Sequence, residues 1–393
     1  MPLRFFTHTE AIDACDRAGS RRQAGRCLAR QSTQPKAIAH RSSTVGTALR
    51  HAEQRAEFFR VKALEMQPRQ QYTDCGDSKR DRGRRLFYVA VVEVLSGSRG
   101  RKQAMSQYQS HADHFVEIAG IATRYWQTGA GTETVVLIHG FSGSVYEWAL
   151  NMASLGRSRT VIALDLPGYG KTGKPPVDYD YDFYSTFLLR FFEALGIDRA
   201  TIFGHSMGAM VAMHFGIRFP ELTRRLVLIA PAFAKRFPLF FHLMAVPGLG
   251  EYLLRPSRSV RGTEKAFRLI THEKIKYDPA CIEQYHQYQH SSGYRQAQLS
   301  YVRGVINMFG LTRKGKRYHR LLQKRLPDMP APSLLIWGKN DRIVPVCHAT
   351  ELRALIARCS FWELDRCGHC PHFEYPDAFN QRVEAFLDSP GGT

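Results

Sequence analysis

The chain has 393 residues, a formal charge of +20 and a hydrophobic fraction of 44%. That is enough apolar material for one large domain, or a domain with an appendage, and no run approaches the ~18 uninterrupted apolar residues of a membrane-spanning helix. The eight cysteines are irregularly spaced, which does not fit a secreted disulfide framework and makes the cytoplasm the expected compartment.

Residues 1–104 differ from the rest. They are rich in Arg, Gln and Ser, with basic pairs at Arg21-Arg22, Arg84-Arg85 and Arg101-Lys102. Apart from a helix-like stretch near Ala48 to Met66 and a compact apolar run at Leu86 to Leu95, no sustained period appears. There is no apolar signal-peptide core, and Glu10, Asp13 and Asp16 argue against an acid-poor transit peptide. A segment with so little apolar surface is expected to stay disordered, as a basic extension. A chain running from Met105 to Thr393 is therefore expected to fold by itself.

Beyond Met105 the pattern becomes regular. His114 to Ile118 and Ile121 to Trp126 alternate around Gly120 as a hairpin. Glu133 to Ile138 and Thr160 to Leu164 read as buried strands, with a helix over Val145 to Leu155 between them. A helix follows at Tyr181 to Leu195, then strands at Ala200 to Phe203 and Arg225 to Ala230. From Phe233 to Met329 the pattern is helical, aromatic and basic. Alternation resumes with strands at Ser333 to Trp337 and Ser360 to Leu364, and helices at His348 to Ala357 and Ala378 to Leu387. Strands alternating with helices imply an α/β fold, a mostly parallel sheet covered on both faces. Its core spans residues 105–232 and 330–393, and residues 233–329 form a helical insertion over the strand ends that hold ligands in such sheets.

The chemistry centres on Gly204-His205-Ser206-Met207-Gly208, a Gly-x-Ser-x-Gly turn between a strand and a helix. A side chain at Gly204 or Gly208 would collide with the neighbouring backbone, and the helix start behind Ser206 offers free N–H groups to an oxyanion. A serine nucleophile needs a base, and the base needs a group to hold its tautomer. Asp341 lies in the loop after the first strand beyond the insertion, and His369 in the loop after the last. Asp328 and Asp365 are alternatives for the acid, and His372 for the base.

The order Ser206, Asp341, His369, with His139-Gly140, Asp165-Leu166-Pro167-Gly168-Tyr169-Gly170, Gly338-Lys339-Asn340-Asp341 and Gly368-His369-Cys370-Pro371-His372, resembles the α/β-hydrolase family over residues 114 to 388. The resemblance implies an oxyanion hole made by the backbone N–H groups of Phe141 and Met207, an acyl-enzyme on Ser206, and a carboxylic ester, thioester or amide as substrate. A serine at the elbow sets aside the branches with an Asp nucleophile. Carbon–carbon bond hydrolases share the triad but usually carry Asn where His205 stands; they and cofactor-free perhydrolases remain alternatives, as does a non-catalytic binding protein on this fold. No P-loop or dinucleotide fingerprint is present, so no cofactor or metal is implied. A zinc site at Cys367, His369, Cys370 and His372 is too crowded for structural zinc, while a bond between Cys367 and Cys370 would strain the His369 loop and inhibit.

The expected partner is a small, apolar acyl substrate, bound under a cap whose apolar stretch runs from Phe237 through Leu254. The basic stretch Arg313 to Arg325 is expected to give at most weak contact with an anionic membrane. Nucleic acid is not an expected partner, since no recognised motif accompanies the charge.

Overall fold

The short apolar runs form strands because neighbours on both sides bury both of their faces. In the computed structural model, residues 111–233, 239–272, 278–305 and 313–390 are described; the basic extension and its Leu86 to Leu95 run lie outside them, as do Phe237 and Pro238. The hairpin is β1 (His114–Ile118) and β2 (Ile121–Thr128), turning at Ala119 and Gly120, both with positive φ. β3 (Thr134–Ile138), β4 (Thr160–Leu164), β5 (Ala200–His205), β6 (Thr223–Ile229), β7 (Ser333–Gly338) and β8 (Cys359–Leu364) follow. They make one eight-stranded sheet in the order β1-β2-β4-β3-β5-β6-β7-β8, antiparallel at β1/β2 and β2/β4 and parallel elsewhere.

Alternation along each strand divides the core. Val136, Ile138, Ile162, Leu164, Leu226 and Leu228 face one apolar layer, while Val135, Leu137, Val161, Ala163, Val227 and Ile229 face the other. Helices cover both faces: α1 (Met152–Leu155), α2 (Tyr181–Leu195) and α3 (Met207–Arg218) come before the insertion. Asp180 caps α2 by accepting from the Phe183 N–H at 2.8 Å, and Gly196, at φ 64°, ends it. The single helix expected over Val145 to Leu155 is instead a 3-10 turn, Val145–Trp148, followed by α1. The break falls at buried Asn151, whose amide donates to the His372 carbonyl and the Asn380 side chain.

Between β6 and β7 the described residues hold α4 (Leu239–Ala245), α5 (Leu249–Leu253), α6 (Val260–Ile270), α7 (Pro279–Gln289), α8 (Tyr294–Gly304) and α9 (Arg313–Arg325), with no strand. On α9, Tyr318 and Leu322 are buried while Lys316, Arg317, Arg320, Lys324 and Arg325 are exposed. Its apolar stripe therefore packs inward and its charge faces solvent. After β7 come α10 (Cys347–Leu355), α11 (Pro371–Glu374) and α12 (Pro376–Asp388). Among the described residues, no helix is long and apolar enough to cross a membrane.

A buried ion pair explains the Asp165 to Gly170 motif. Asp165, at the end of β4, accepts from Arg124 Nε at 2.7 Å, from the Lys171 N–H at 2.8 Å and from the Val145 N–H at 2.8 Å. Neither side chain of the pair is exposed. Gly170 is glycine for a local reason: a Cβ there would stand 1.9 Å from the Asp165 carboxylate. Asp165→Ala would leave the buried Arg124 guanidinium with only the partly exposed Asp113 carboxylate at 3.5 Å and the Tyr288 hydroxyl, and breaking a buried pair in this way costs about 3–5 kcal/mol. Urea unfolding should show that loss; a change under about 1 kcal/mol would contradict the role given to the pair.

Candidate active site

β5 runs into α3 through Ser206, which sits at φ 51°, ψ −108°, a strained conformation for a residue with a side chain. The strain is held by its neighbours: the Ser206 N–H donates to the Ile229 carbonyl at 2.8 Å, and its own carbonyl accepts from Ala232 at 3.2 Å. A Cβ on Gly204 would lie 2.4 Å from the Gly208 carbonyl oxygen. One on Gly208 would lie 2.5 Å from the carbonyl oxygens of Ile138 and His139. Both glycines are therefore required by close backbone approach. Met207 opens α3, so its N–H belongs to the first turn, which has no carbonyl of its own helix to meet.

The loop after β3 presses on this turn. A Cβ on Gly140 would stand 3.4 Å from Ser206 Cβ, so Gly140, one residue before Phe141, lies against the serine. The Gly143 N–H donates to the Gly140 carbonyl at 3.0 Å, closing a turn around Phe141 and Ser142. His139 contributes through structure: Nδ1 donates to the Gly140 carbonyl at 2.7 Å, and Nε2 accepts from the Leu166 N–H at 3.0 Å. α8 leans on the same loop, with Gln298 Nε2 donating to Ser142 Oγ at 2.5 Å and the Tyr294 hydroxyl to the Ser142 carbonyl at 3.3 Å. The Phe141 ring meets Tyr169 and Tyr301 at 6.2 and 5.8 Å between centroids, so this loop carries its ring into an aromatic cluster.

Asp341 and His369 meet although 28 residues separate them: Nδ1 of His369 donates to Asp341 Oδ2 at 2.7 Å. The other carboxylate oxygen accepts from the Ile343 and Val344 N–H groups at 2.8 and 2.9 Å, so Asp341 is fixed before it meets the ring. Gly338 lets the two loops cross, since a Cβ there would be 2.0 Å from the Gly368 carbonyl oxygen. The His369 N–H donates to the Ile270 carbonyl at the end of α6. The alternatives lie elsewhere: Asp365 binds Lys339 at the surface, and Asp328 is exposed. His372 is wholly buried, packed at a tilt against Trp148 and Phe379, with no hydrogen bond to either ring nitrogen.

Two features escaped the sequence. Glu147 reaches from the 3-10 turn into the site, where its Oε2 accepts from the Gly140 N–H at 3.0 Å and from His205 Nδ1 at 3.1 Å. Burial alone would raise its pKa, but the His205 contact, with His372 and His139 beyond, brings it down to about 2. Glu147, His205 and His372 also form the one group among the described residues whose ligand-capable atoms gather as a metal site would, within 4.8 Å of one another. The expected redox sensitivity meets an obstacle: Cys367 and Cys370 are free and buried, and burial pushes both thiols far above the range of a reactive thiolate.

Residues 135–382 match the alpha/beta hydrolase family. The chain belongs to that family. It is 27% identical over 300 residues to the dihydrolipoyllysine-residue acetyltransferase component of the acetoin cleaving system of Cupriavidus necator, covering 76% of this chain and 74% of that one. It is 28% identical over 282 residues to the 2-hydroxy-6-oxo-6-(2'-aminophenyl)hexa-2,4-dienoic acid hydrolase of Metapseudomonas resinovorans, covering 71% of this chain and 91% of that one. Among solved structures, a serine hydrolase involved in carbazole degradation superposes with a TM-score of 0.59 at 26% identity, over 71% of this chain and 99% of the other.

Proposed function

We propose that this family member is a serine hydrolase that cleaves a carboxylic ester through an acyl-enzyme on Ser206. The observation that carries the reading is the 2.7 Å bond from His369 Nδ1 to an Asp341 already fixed by two backbone donors. With Nδ1 engaged as a donor, Nε2 is the nitrogen left to take a proton. Ser206 Oγ would lose its proton to Nε2 as it bonds to the ester carbonyl carbon. The carbonyl oxygen, now an oxyanion, would take hydrogen bonds from the Phe141 and Met207 N–H groups. Collapse would break the acyl–oxygen bond, with the proton on Nε2 passing to the departing alkoxide. Water would then repeat the sequence on the acyl-enzyme and release the acid.

The aromatic cluster of Phe141, Tyr169 and Tyr301, next to the loop of the proposed oxyanion donor, favours an apolar acyl or alkoxy group. A second reading is favoured by the Metapseudomonas relative: hydrolysis of a 2-hydroxy-6-oxo-dienoic acid. Against it stands His205, where carbon–carbon bond hydrolases usually have Asn. The test is a chain-length series of p-nitrophenyl acyl esters run beside such a dienoic acid. Ester turnover with an optimum in chain length supports the proposal. Turnover of the dienoic acid with none of any ester overturns it.

A further inference from the structure

Glu147 and His205 touch three segments at once, and both ring nitrogens of His205 are engaged. One ring nitrogen, Nε2, lies 2.9 Å from the His369 carbonyl oxygen, which can only accept, so Nε2 carries a proton. The other, Nδ1, lies 3.1 Å from Glu147 Oε2. A bare Nδ1 there would set a lone pair against a carboxylate. Either a proton, on the ring or on the carboxyl, or a cation sits between the two atoms.

We propose that the buried His205–Glu147 hydrogen bond positions the oxyanion loop, the nucleophile turn and the histidine loop relative to one another. Each link is a named bond. Glu147 Oε2 accepts from the Gly140 N–H, one residue before the oxyanion donor Phe141. The same oxygen accepts from His205, whose neighbour is Ser206. The far side of the His205 ring donates to the backbone of His369. The side chains are 4% and 15% exposed for His205 and Glu147, so water screens the pair weakly. Gly143 makes room for it, because a Cβ there would be 2.1 Å from Glu147 Oε1. Around the ring stand the His369 and His372 rings, each 4.7 Å away between centroids, and Cys370 Sγ at 4.0 Å.

These are positioning residues, since neither is placed on the reacting atoms; their effect on turnover rests on the ester-hydrolase reading. Glu147→Gln is informative because both bonds end on one oxygen. An amide oxygen there keeps the Gly140 bond but leaves no negative partner for His205. An amide nitrogen meets Nδ1 but turns a donor on the Gly140 N–H. Displacements of about 1 Å in such sites can cost about 100-fold, so kcat should fall about 100-fold with KM within about twofold. His205→Asn, which can reach Glu147 but not the His369 carbonyl, should fall at least tenfold.

The independent readout is nitrogen-15 NMR of the histidine rings at neutral pH. Wild-type protein should show one buried ring with both nitrogens hydrogen-bonded, absent from His205→Asn, and its Nδ1 resonance should move in Glu147→Gln. Wild-type kcat in Glu147→Gln overturns the positioning role. An Nδ1 resonance unmoved in Glu147→Gln overturns the His205–Glu147 bond, as does one equivalent of a divalent metal ion that co-purifies with wild type and not with Glu147→Gln. If the wild type hydrolyses no ester, the functional reading fails, and the NMR signature still decides the bond.

Discussion

Ser206→Ala should lower kcat for the best ester substrate by about a millionfold, the effect of removing a nucleophile that works as a unit with its base. Stability should change by less than about 1 kcal/mol. The hydroxyl is not what holds the turn: the Ser206 backbone is fixed by Ile229 and Ala232, and glycines 204 and 208 are set by backbone contacts. The measurement is steady-state hydrolysis with thermal unfolding of the same preparation. Near-normal turnover in a folded Ser206→Ala protein would remove the serine from the chemistry. A large drop in melting temperature would instead assign Ser206 a role in folding.

The second large effect belongs to Asp341→Asn. The Asp341 oxygen that binds the Ile343 and Val344 N–H groups must stay an acceptor, so in the variant the amide oxygen occupies that place. The amide NH2 is then turned towards His369 Nδ1, where the carboxylate accepted at 2.7 Å. Nδ1 must become the acceptor, the ring proton moves to Nε2, and the nitrogen proposed as the base no longer has a free lone pair. A tautomer reversal of this kind costs about 10,000-fold in kcat with little change in geometry. A loss under tenfold would mean that Asp341 only supports the loop.

The central strands, the helical insertion and the Ser206, Asp341 and His369 positions were legible because each rests on local pattern: apolar runs of strand length, glycines at a tight turn, polar residues just past a strand end. The hairpin was legible for the same reason, with Gly120 at the turn. Val145 to Leu155 misled because its apolar spacing suits a helix, while the break depends on Asn151 reaching residues more than two hundred positions away. Glu147 was invisible for a related reason. In Tyr146-Glu147-Trp148 it reads as the solvent face of a helix, and only the folded loop turns it onto the Gly140 N–H and His205. His205 itself occupies a variable position of the elbow pattern, so its bond to the base loop had no local signature. His372 shows the reverse: its place beside His369 suggested a rival base, but folding buries it against Trp148.

The most direct test of the account is reaction of the full chain with a fluorophosphonate, followed by peptide mapping. One adduct per chain is expected, on Ser206, abolished by Ser206→Ala and strongly slowed by His369→Ala. Absence of labelling in folded, wild-type protein, or an adduct on any other residue, would contradict it.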